Sequence, residues 1–305
     1  MNSPPPIAAV VAVTHNSSHA IDSWIEALTA LGVPLELCVV DAGSRPDELA
    51  RLRERVGGHA RLVEVDNVGF GRACNAGAAA TTAPALIFTN PDTRVRALPS
   101  ELTSGGSIAG TVLGAIELKA DGTRTPLGYA HLPSAGWEAR DLLLGNHSNA
   151  YVRTAERPAW VSGAALAMAR SDFVRAGGFS DELFLYFEDA DLCATHVERG
   201  GGVRVDPAFV VEHDGGQSSQ DHPVGVELDG VARQSGRIFA RRHGGRGGRA
   251  RAAGLYALLL AWYVPRRVAI SLLRRLRGRP APASLRELAL NLAFPSRVKR
   301  RLGAR

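Results

Sequence analysis

The sequence has few cysteines and lacks several common catalytic motifs. Its three cysteines, Cys38, Cys74 and Cys193, are far apart and form no CxxC pair, which argues against a zinc or redox motif and predicts reduced, mostly buried thiols of a cytosolic protein. No HExxH, P-loop or GxSxG pattern occurs. Zinc proteolysis, P-loop nucleotide hydrolysis and serine esterase chemistry therefore have no motif support.

The sequence also lacks a long uninterrupted apolar run. A transmembrane helix needs roughly 18 such residues, and the nearest candidate is Leu255–Val264. The apolar stretch that follows Pro6 has no basic residues before it and stops at Thr14, so it reads as a first strand rather than a signal anchor. We therefore expect no segment to span a membrane.

The charge is divided unevenly along the chain. The net charge is +6, but residues 231–305 carry 19 lysines and arginines against one acid, Glu287. The first 230 residues carry 17 basic and 29 acidic residues. This division predicts that the C-terminal part contacts something anionic.

Short β-branched runs alternate with helical patterns over the first ninety residues, which predicts βαβ units and a mostly parallel sheet flanked by helices. The predicted elements are strands at Ile7–Val13, Leu35–Val40, Ala60–Val65 and Ala85–Thr89, and helices at Ala20–Leu31, Pro46–Val56 and Gly71–Ala80. Ligands of such α/β sheets bind beyond the carboxyl ends of the strands. Thr14, Asp41, Asn67 and Asp92 all follow predicted strands, so we expect them at the edge of the sheet where the carboxyl ends of the strands lie.

The second half is less regular. Thr93–Arg157 is glycine-rich and suggests no chemistry, although Gly110–Leu118 fits a strand. Later predicted elements are a strand at Ala159–Ala169, helices starting near Ser171 and Glu188, and strands at Val203–Val205 and Phe209–His213. A linker rich in Gly and Arg at His243–Gly254 divides a catalytic domain, residues 1–242, from a basic helical tail, residues 243–305. Arg266–Arg277 places Val268, Leu272 and Leu276 on one helical face.

Four groups of residues have chemical potential, and each also has a structural reading. Asp41 can accept a hydrogen bond from a base or ribose, and the glycines near the third helix allow close approach of a diphosphate, but turn glycines are common. Asp92 can hold a divalent cation, or simply cap a turn after Asn90-Pro91. Glu188, Asp189 and Asp191 fit a general base, or acids that complement a helix dipole. His213 is a possible metal ligand or a structural histidine.

The order of the segments NVGFGRACNAG, NPDT, YFEDADLC and VVEHDGGQSS resembles family 2 glycosyltransferases, in particular the rhamnosyltransferase-like and galactofuranosyltransferase-like branch. The resemblance covers roughly residues 7–220 and implies a GT-A fold. It implies that Asp189 is the catalytic base, with Glu188 and Asp191 beside it, and that Asp92 and His213 bind Mg²⁺ or Mn²⁺. Asn90 stands where the family more often has an acid, and Ala42 replaces the more common Asn.

The same resemblance implies a donor pocket and an acceptor side. The donor-side candidates are Thr14, Asn16, Asp41, Asn67, Gly69, Asn75, Asn90 and Asp92, and the acceptor-side candidates are Ser162 and Gly163. The implied reaction is an inverting transfer from a nucleoside diphosphate sugar to a hydroxyl of a cell-envelope glycan or polyprenyl-linked acceptor. Deoxythymidine diphosphate rhamnose is the first expected donor, and a UDP-sugar is the second.

Other functions fit parts of the sequence. A nucleotidyltransferase or a non-catalytic sugar-nucleotide-binding protein would share the fold, although the first loop, VTHNSSHA, lacks the usual Gly-rich, Lys-containing pattern. The basic tail alone would suit a nucleic-acid-binding protein. Its tryptophan, tyrosines and leucines instead favour an anionic membrane surface contacted by residues 255–277, with a solvated helix as the plainer alternative. We therefore predict a cytoplasmic, peripheral protein on the inner face of the cell membrane, with no nucleic acid partner.

Overall fold

A computed structural model describes residues 4–144, 152–213 and 225–277. The first part is the predicted βαβ arrangement, with four parallel strands in the order β3-β2-β1-β4. The strands are β1 (Ala8–Thr14), β2 (Leu35–Ala42), β3 (Arg61–Val65) and β4 (Ala85–Thr89). The helices between them are α1 (Ile21–Thr29), after a 3₁₀ turn at Ser18–Ala20, α2 (Pro46–Val56) and α3 (Phe70–Ala79).

The remaining strands extend this sheet from β4 in the order β10-β6-β11-β5, with β7 paired to β6. β10 runs antiparallel to both of its neighbours, so the sheet is mixed. These strands are β5 (Thr93–Ala97), β6 (Thr111–Leu118), β7 (Arg124–Pro126), β10 (Ala165–Ala169) and β11 (Gly202–His213), and a separate two-stranded sheet consists of β8 (Gly128–Tyr129) and β9 (Trp160–Val161). The helices are α4 (Ser100–Thr103), α5 (Ala135–Leu144), α6 (Arg170–Ala176) and α7 (Glu188–Glu198).

Two strand predictions in this half are wrong. The predicted strand Ala159–Ala169 is interrupted by a turn between β9 and β10, where Ala165 N–H donates to the Ser162 carbonyl at 3.2 Å. The two predicted strands at Val203–Val205 and Phe209–His213 are one strand, β11, with an irregular register between Val205 and Val210. Pro207 lies in that interval and has no N–H to contribute to the ladder.

The sheet is covered on both faces, which explains the continuous apolar sequence of its central strand. Every residue of β1 is buried, and alternate residues enter two different apolar clusters, Ala9 and Val11 in one and Val10 and Ala12 in the other. A sheet covered on both sides is expected to show such an unbroken apolar run. The three cysteines are free and buried, as predicted.

The C-terminal region is helical and packs on the α/β part. It consists of α8 (Gly225–His243), α9 (Gly248–Leu258), a π-helical turn at Leu259–Tyr263, and α10 (Val264–Leu276). The predicted linker is wrong over Gly248–Gly254, which lies in α9. A Cβ atom on Gly244 would lie 2.2 Å from the Ala240 carbonyl oxygen and one on Gly248 would lie 2.4 Å from that of Arg241, so the glycines permit a tight helical corner rather than flexibility.

Among the described residues, one helical stretch, Gly245–Leu276, is long and apolar enough to cross a membrane. This finding rests on the length and the composition of the stretch alone. Of the most apolar 18-residue segment within Gly245–Leu276, 22% is buried inside the protein. Pro265 lies in the first turn of α10, as predicted. The rest of the predicted tail, residues 278–305, lies outside the described residues, and the division into domains 1–242 and 243–305 stays a prediction.

Candidate functional site

The carboxyl ends of β1 and β2 place two candidate nucleotide contacts side by side. Thr14 and Asp41 are register partners in the parallel pair, and their relative exposures are 1% and 2%. Asp41 Oδ2 accepts a hydrogen bond from the Ser44 N–H at 3.0 Å. Within the described part of the chain, Thr14 Oγ1 and Asp41 Oδ1 are buried without a partner. Buried polar atoms are normally satisfied, so these two oxygens suit a ligand that supplies hydrogen bonds.

The loops after β1 and β2 are fastened to each other. Asn16 has a φ of +55°, its N–H donates to Ser44 Oγ at 2.8 Å, and its Oδ1 accepts from the Arg45 N–H at 2.9 Å. His15 Nδ1 donates to the Ala42 carbonyl at 2.8 Å, which leaves its Nε2 to accept from Asn16 Nδ2 at 3.0 Å. Asn16 thus shapes the pocket wall. His15 and Ser44 also hold these two loops together. Neither is among the residues predicted from the sequence, although both belong to the motifs VTHN and VDAGS.

Three donor-side candidates near α3 have clear packing functions. Gly69 has a φ of +95°, and a Cβ there would lie 2.2 Å from the Phe184 carbonyl oxygen, so only glycine fits. Asn75 exchanges two hydrogen bonds of 2.9 Å with the main chain of Phe179. Asn67 is buried, and its main chain packs against Gly43. These contacts fix the loops of the predicted donor pocket; direct contact of these residues with a donor stays a prediction.

The turn after β4 joins the predicted metal side to the predicted acceptor side. Asn90 N–H donates to the Ala164 carbonyl at 3.1 Å, and Thr93 Oγ1 donates to the same oxygen at 3.4 Å. Ser162 Oγ accepts from the Ala164 N–H at 3.2 Å. The Asn90–Thr93 turn and the Ser162–Ala164 turn therefore lie together at one end of β4 and β10.

Asp189 is held by the acceptor-side turn. Its Oδ2 accepts from the Gly163 N–H at 2.9 Å, and its Oδ1 accepts from the Ala190 N–H at 2.8 Å. The side chain is half-buried. Burial raises the pKa of Asp189, partly offset by these two backbone hydrogen bonds. A fixed, partly accessible carboxylate with a raised pKa is a suitable general base.

Glu188 differs from its neighbour. It is buried, and its Oε2 has no hydrogen-bond partner among the described residues. Burial, reinforced by the charge of Asp189, raises its pKa to about 8. Glu188 is therefore largely protonated at neutral pH, which leaves Asp189 as the carboxylate that is free to take a proton.

Asp191 faces away from Asp189 and toward α8. Arg242 Nε donates to Asp191 Oδ1 at 2.6 Å, and His243 Nε2 contacts the same oxygen at 2.8 Å. His243 Nδ1 lies 2.9 Å from Glu198 Oε1. Asp191 thus fastens α7 to α8, and the structure does not bring it together with the pocket. Arg242 and His243 were not predicted to support the site, because both lie at the predicted domain boundary.

The segment before α7 is strained and braced by α8. Tyr186 and Phe187 both have a φ of +68°, which is costly for bulky residues. Ser235 Oγ donates to the Leu185 carbonyl at 2.8 Å, and the Phe239 ring packs 6.1 Å from the Phe187 ring. The helix from beyond the predicted motifs therefore holds the main-chain conformation that delivers Asp189.

Tyr129 is a neighbour of Asp189 that sequence reasoning missed. Its ring stacks on Trp160 at 4.2 Å, and Trp160 is three residues before Gly163. Burial raises the pKa of Tyr129, Arg153 opposes this, and the charge of Asp189 adds to the rise. No local pattern marks Tyr129, because a strand pairing across 31 residues brings it to the site.

The predicted metal ligand Asp92 immediately precedes β5, and the predicted ligand His213 ends β11, the strand that pairs antiparallel with β5. The backbone of His213 is the register partner of Thr93, which is adjacent to Asp92; the His213 side chain lies outside the described residues. The described side chains contain no group of three or more His, Cys, Asp and Glu residues arranged for a metal. An aspartate and a histidine at these two positions of the chain offer a carboxylate and an imidazole, a ligand set that fits Mg²⁺ or Mn²⁺ when diphosphate oxygens and water complete the coordination.

Comparisons with known proteins agree with this architecture. Residues 9–97, which are less than half of the chain, match the family model described as Glycosyl transferase family 2. Among solved structures, the mannosyltransferase PcManGT from Pyrobaculum calidifontis in complex with GDP-Man and Mn²⁺ has a TM-score of 0.51 at 18% identity, covering 99% of this chain and 85% of that one. A mycobacterial protein has a TM-score of 0.50 at 18% identity, with 78% and 75% covered. No curated protein matches the sequence.

The chain therefore has an α/β fold that matches GT-A glycosyltransferases, with a mostly parallel sheet flanked by helices, and its residues 9–97 are similar to glycosyl transferase family 2. The structural likeness at this identity concerns the fold. The rhamnosyltransferase-like and galactofuranosyltransferase-like branch stays a prediction.

Proposed function

We propose that the chain is an inverting glycosyltransferase that moves a sugar from a nucleoside diphosphate donor to an acceptor hydroxyl. One observation carries the proposal most directly: the Asp189 carboxylate is fixed by the Gly163 N–H at 2.9 Å. That turn is bonded to the turn after β4. The next strand, β1, carries the unsatisfied oxygen of Thr14, and β2 beyond it carries that of Asp41. The match of residues 9–97 to glycosyl transferase family 2 supports the same reaction class.

Each of the site residues has a separate role in the proposed reaction. Asp41 Oδ1 and Thr14 Oγ1 bind the nucleoside, with the carboxylate accepting from an N–H or O–H group. Asp189 takes the proton of the acceptor hydroxyl, whose oxygen then attacks the anomeric carbon while the diphosphate leaves from the opposite side. Asp92 and His213 would hold Mg²⁺ or Mn²⁺, which supplies charge neutralisation on the departing diphosphate. A related fold solved with Mn²⁺ supports a divalent cation here.

The donor is proposed to be deoxythymidine diphosphate rhamnose, with a UDP-sugar as the alternative, and the acceptor a cell-envelope glycan or polyprenyl-linked glycan. These details rest on the sequence resemblance, whereas the solved relative carries GDP-Man. We also propose that the protein is cytoplasmic and binds the inner membrane face through residues 255–277. Among the described residues, eleven large hydrophobic side chains are exposed, and six of them lie between Tyr256 and Leu276, among arginines, which supports a membrane over nucleic acid.

The test compares Asp189→Asn with the wild type. The amide keeps the shape of the carboxylate but cannot take a proton, so turnover is expected to fall about 100- to 10,000-fold. Donor binding is expected to persist. Thermal shift with a panel of nucleoside diphosphate sugars, with and without Mn²⁺, measures that binding and names the donor.

Two further variants complete this experiment. Asp181→Asn alters an exposed acid on the loop before α7 and should leave turnover unchanged. Asp92→Ala should remove the part of the thermal shift that depends on Mn²⁺. A fully active Asp189→Asn enzyme would refute the base assignment, and a protein that no nucleotide sugar stabilises would favour the other functions.

A further inference from the structure

The ring of Phe70, the first residue of α3, lies beside the Asp189 carboxylate. A Cβ atom placed on Gly163 would lie 3.5 Å from Phe70 Cε1 and 3.6 Å from Asp189 Oδ2. The ring edge and the carboxylate oxygen therefore approach the same side of Gly163. Gly163 is buried, so these two groups help to cover the glycine whose N–H donates to Asp189 Oδ2.

The main chain fixes Phe70 in this position. Its N–H donates to the Phe184 carbonyl at 2.9 Å, and its ring packs edge-to-face on Phe179, with 6.4 Å between the ring centroids. The preceding residue is Gly69, which has no room for a side chain. Phe70 thus joins the donor-side loop to the turn at Gly163, and it was not among the residues predicted from the sequence.

The exposure of Phe70 differs from that of the glycine beneath it. Phe70 is half-exposed and Asp189 is half-buried, whereas Gly163 is buried. Phe70 therefore separates the Gly163 turn from solvent on this side of the carboxylate. An ordered water needs about two to four polar partners. A phenyl edge offers none, so the ring disfavours a water molecule beside Asp189 Oδ2.

The exclusion of water matters for the choice of nucleophile. A base that takes a proton from an acceptor hydroxyl can also take one from water. In that side reaction the water oxygen attacks the anomeric carbon, the bond from this carbon to the diphosphate oxygen breaks, and Asp189 receives the proton, which yields free sugar and a nucleoside diphosphate. A site closed to water suppresses such hydrolysis. We propose, on the basis of the function proposed above, that Phe70 excludes water from Asp189 and thereby makes the acceptor hydroxyl the nucleophile.

The experiment measures hydrolysis of the donor when no acceptor is present. Deoxythymidine diphosphate rhamnose, UDP-glucose and GDP-mannose serve as donors, each with Mn²⁺, and the released sugar and nucleoside diphosphate are quantified. Phe70→Ala should hydrolyse the donor that the wild type binds about ten-fold faster, a change equivalent to about 1.4 kcal/mol of activation free energy. Phe70→Gln, which keeps the bulk but offers hydrogen bonds to water, should also accelerate hydrolysis. Phe70→Leu, which stays apolar, should remain close to the wild type.

The controls separate the effect of water from changes in folding and donor binding. Combined with Asp189→Asn, Phe70→Ala should lose the added hydrolysis, because no base then activates the water. Val174→Ala, which truncates a side chain that is 70% exposed on α6, should behave as the wild type. The thermal shift that the donor causes should be the same in the wild type and the Phe70 variants, and an unchanged thermal midpoint without donor shows that each variant folds.

Two outcomes would overturn the role of Phe70 while leaving glycosyl transfer intact. The first is unchanged hydrolysis by Phe70→Ala and Phe70→Gln when the donor still stabilises both variants. The second is added hydrolysis that persists with Asp189→Asn, because water would then react without the base. If none of the donors stabilises the wild type, the proposed transfer itself is contradicted, and the role of Phe70 falls with it.

Discussion

At the scale of single residues, the site is marked by polar atoms that the protein itself does not satisfy. Thr14 Oγ1, Asp41 Oδ1 and Glu188 Oε2 are buried without partners in the described part of the chain. Each such atom costs about 1–3 kcal/mol of stability. Two of them, on Thr14 and Asp41, lie at the carboxyl ends of paired strands, which indicates that this edge of the sheet is built for a ligand rather than for maximal stability.

Glu188 leads to a prediction about pH. The pKa of Glu188 rises from its ordinary 4.5 to about 8, so the folded state keeps a proton that the unfolded state releases. The wild type should therefore lose stability as the pH rises from about 4.5 to about 8. Glu188→Gln has no such titration, so its free energy of unfolding relative to the wild type should increase over this range. Chemical denaturation at about pH 5 and about pH 8.5 measures the difference.

The exposed acid Glu54 provides the control for this prediction. Glu54→Gln should change stability little, and by the same amount at both pH values. If Glu188→Gln also shows a difference that is independent of pH, then Glu188 is ionised in the folded protein and the assignment of Asp189 as the single available carboxylate fails.

At the scale of elements, the position of Asp189, the proposed base, depends on the joint between α7 and α8. Asp191 and Glu198 on α7 bond Arg242 and His243 on α8, and α8 also supports the strained Tyr186-Phe187 segment through Ser235 and Phe239. Asp189 thus lies on a helix that the C-terminal region holds in place.

His243 makes this joint dependent on pH. Burial lowers its pKa, but the hydrogen bonds to Asp191 and Glu198 outweigh burial and leave the pKa raised. The stabilisation is therefore complete below the ordinary histidine pKa of about 6.5 and is lost as the pH rises through the raised value. His243→Gln should cost about 1.5–3 kcal/mol at low pH, and this cost should shrink as the pH rises. Urea denaturation across that range measures it.

The matched control is His19→Gln, a change at an exposed histidine. It should have no effect that varies with pH. A cost for His243→Gln that stays constant across the range would mean that the histidine is neutral in the joint and contributes only packing.

The elements show what local sequence can and cannot predict. The first four strands and their helices were predicted within a few residues, because period-2 and period-3.6 patterns identify them. The turn at Ser162 was missed because the apolar run Ala164–Ala169 masks a break that is set by hydrogen bonding to Asp189 and Asn90. The linker prediction failed because Gly244 and Gly248 are needed for close helix packing.

The candidate site, like the fold, could be predicted only where local sequence patterns identify the strands and helices that carry it. Thr14 and Asp41 follow strands that the sequence identifies, and parallel pairing places them together. Asp189 could be selected as an acid at a helix start, but its separation from Asp191 depends on partners some fifty residues away on α8. Tyr129 depends on a strand pairing that no local pattern encodes. Long-range contacts thus decide which of several equivalent acids is exposed to a substrate.

At the scale of the whole molecule, an acidic α/β part is joined to a basic, partly apolar C-terminal region. The Arg233 contact to Tyr263 holds the stretch Gly245–Leu276 beside α8. Arg266 and Arg267 interrupt its apolar sequence, while Leu272, Leu273 and Leu276 are exposed on α10. A helical stretch that packs on the domain over α9 and the π-helical turn and keeps apolar side chains outside suits the membrane interface better than a crossing.

This arrangement predicts peripheral binding that needs both charge and apolar contact. Wild-type protein should float with vesicles that contain anionic lipid, and salt should weaken this binding. The double variant Leu260→Ser and Trp262→Ser should bind less, whereas Val174→Ser, which alters a residue that is 70% exposed on α6, should not. Protein that resists extraction by high salt and alkaline carbonate would instead span the membrane through Gly245–Leu276. Equal flotation of all three proteins would mean that the exposed face of this helix does not contact lipid.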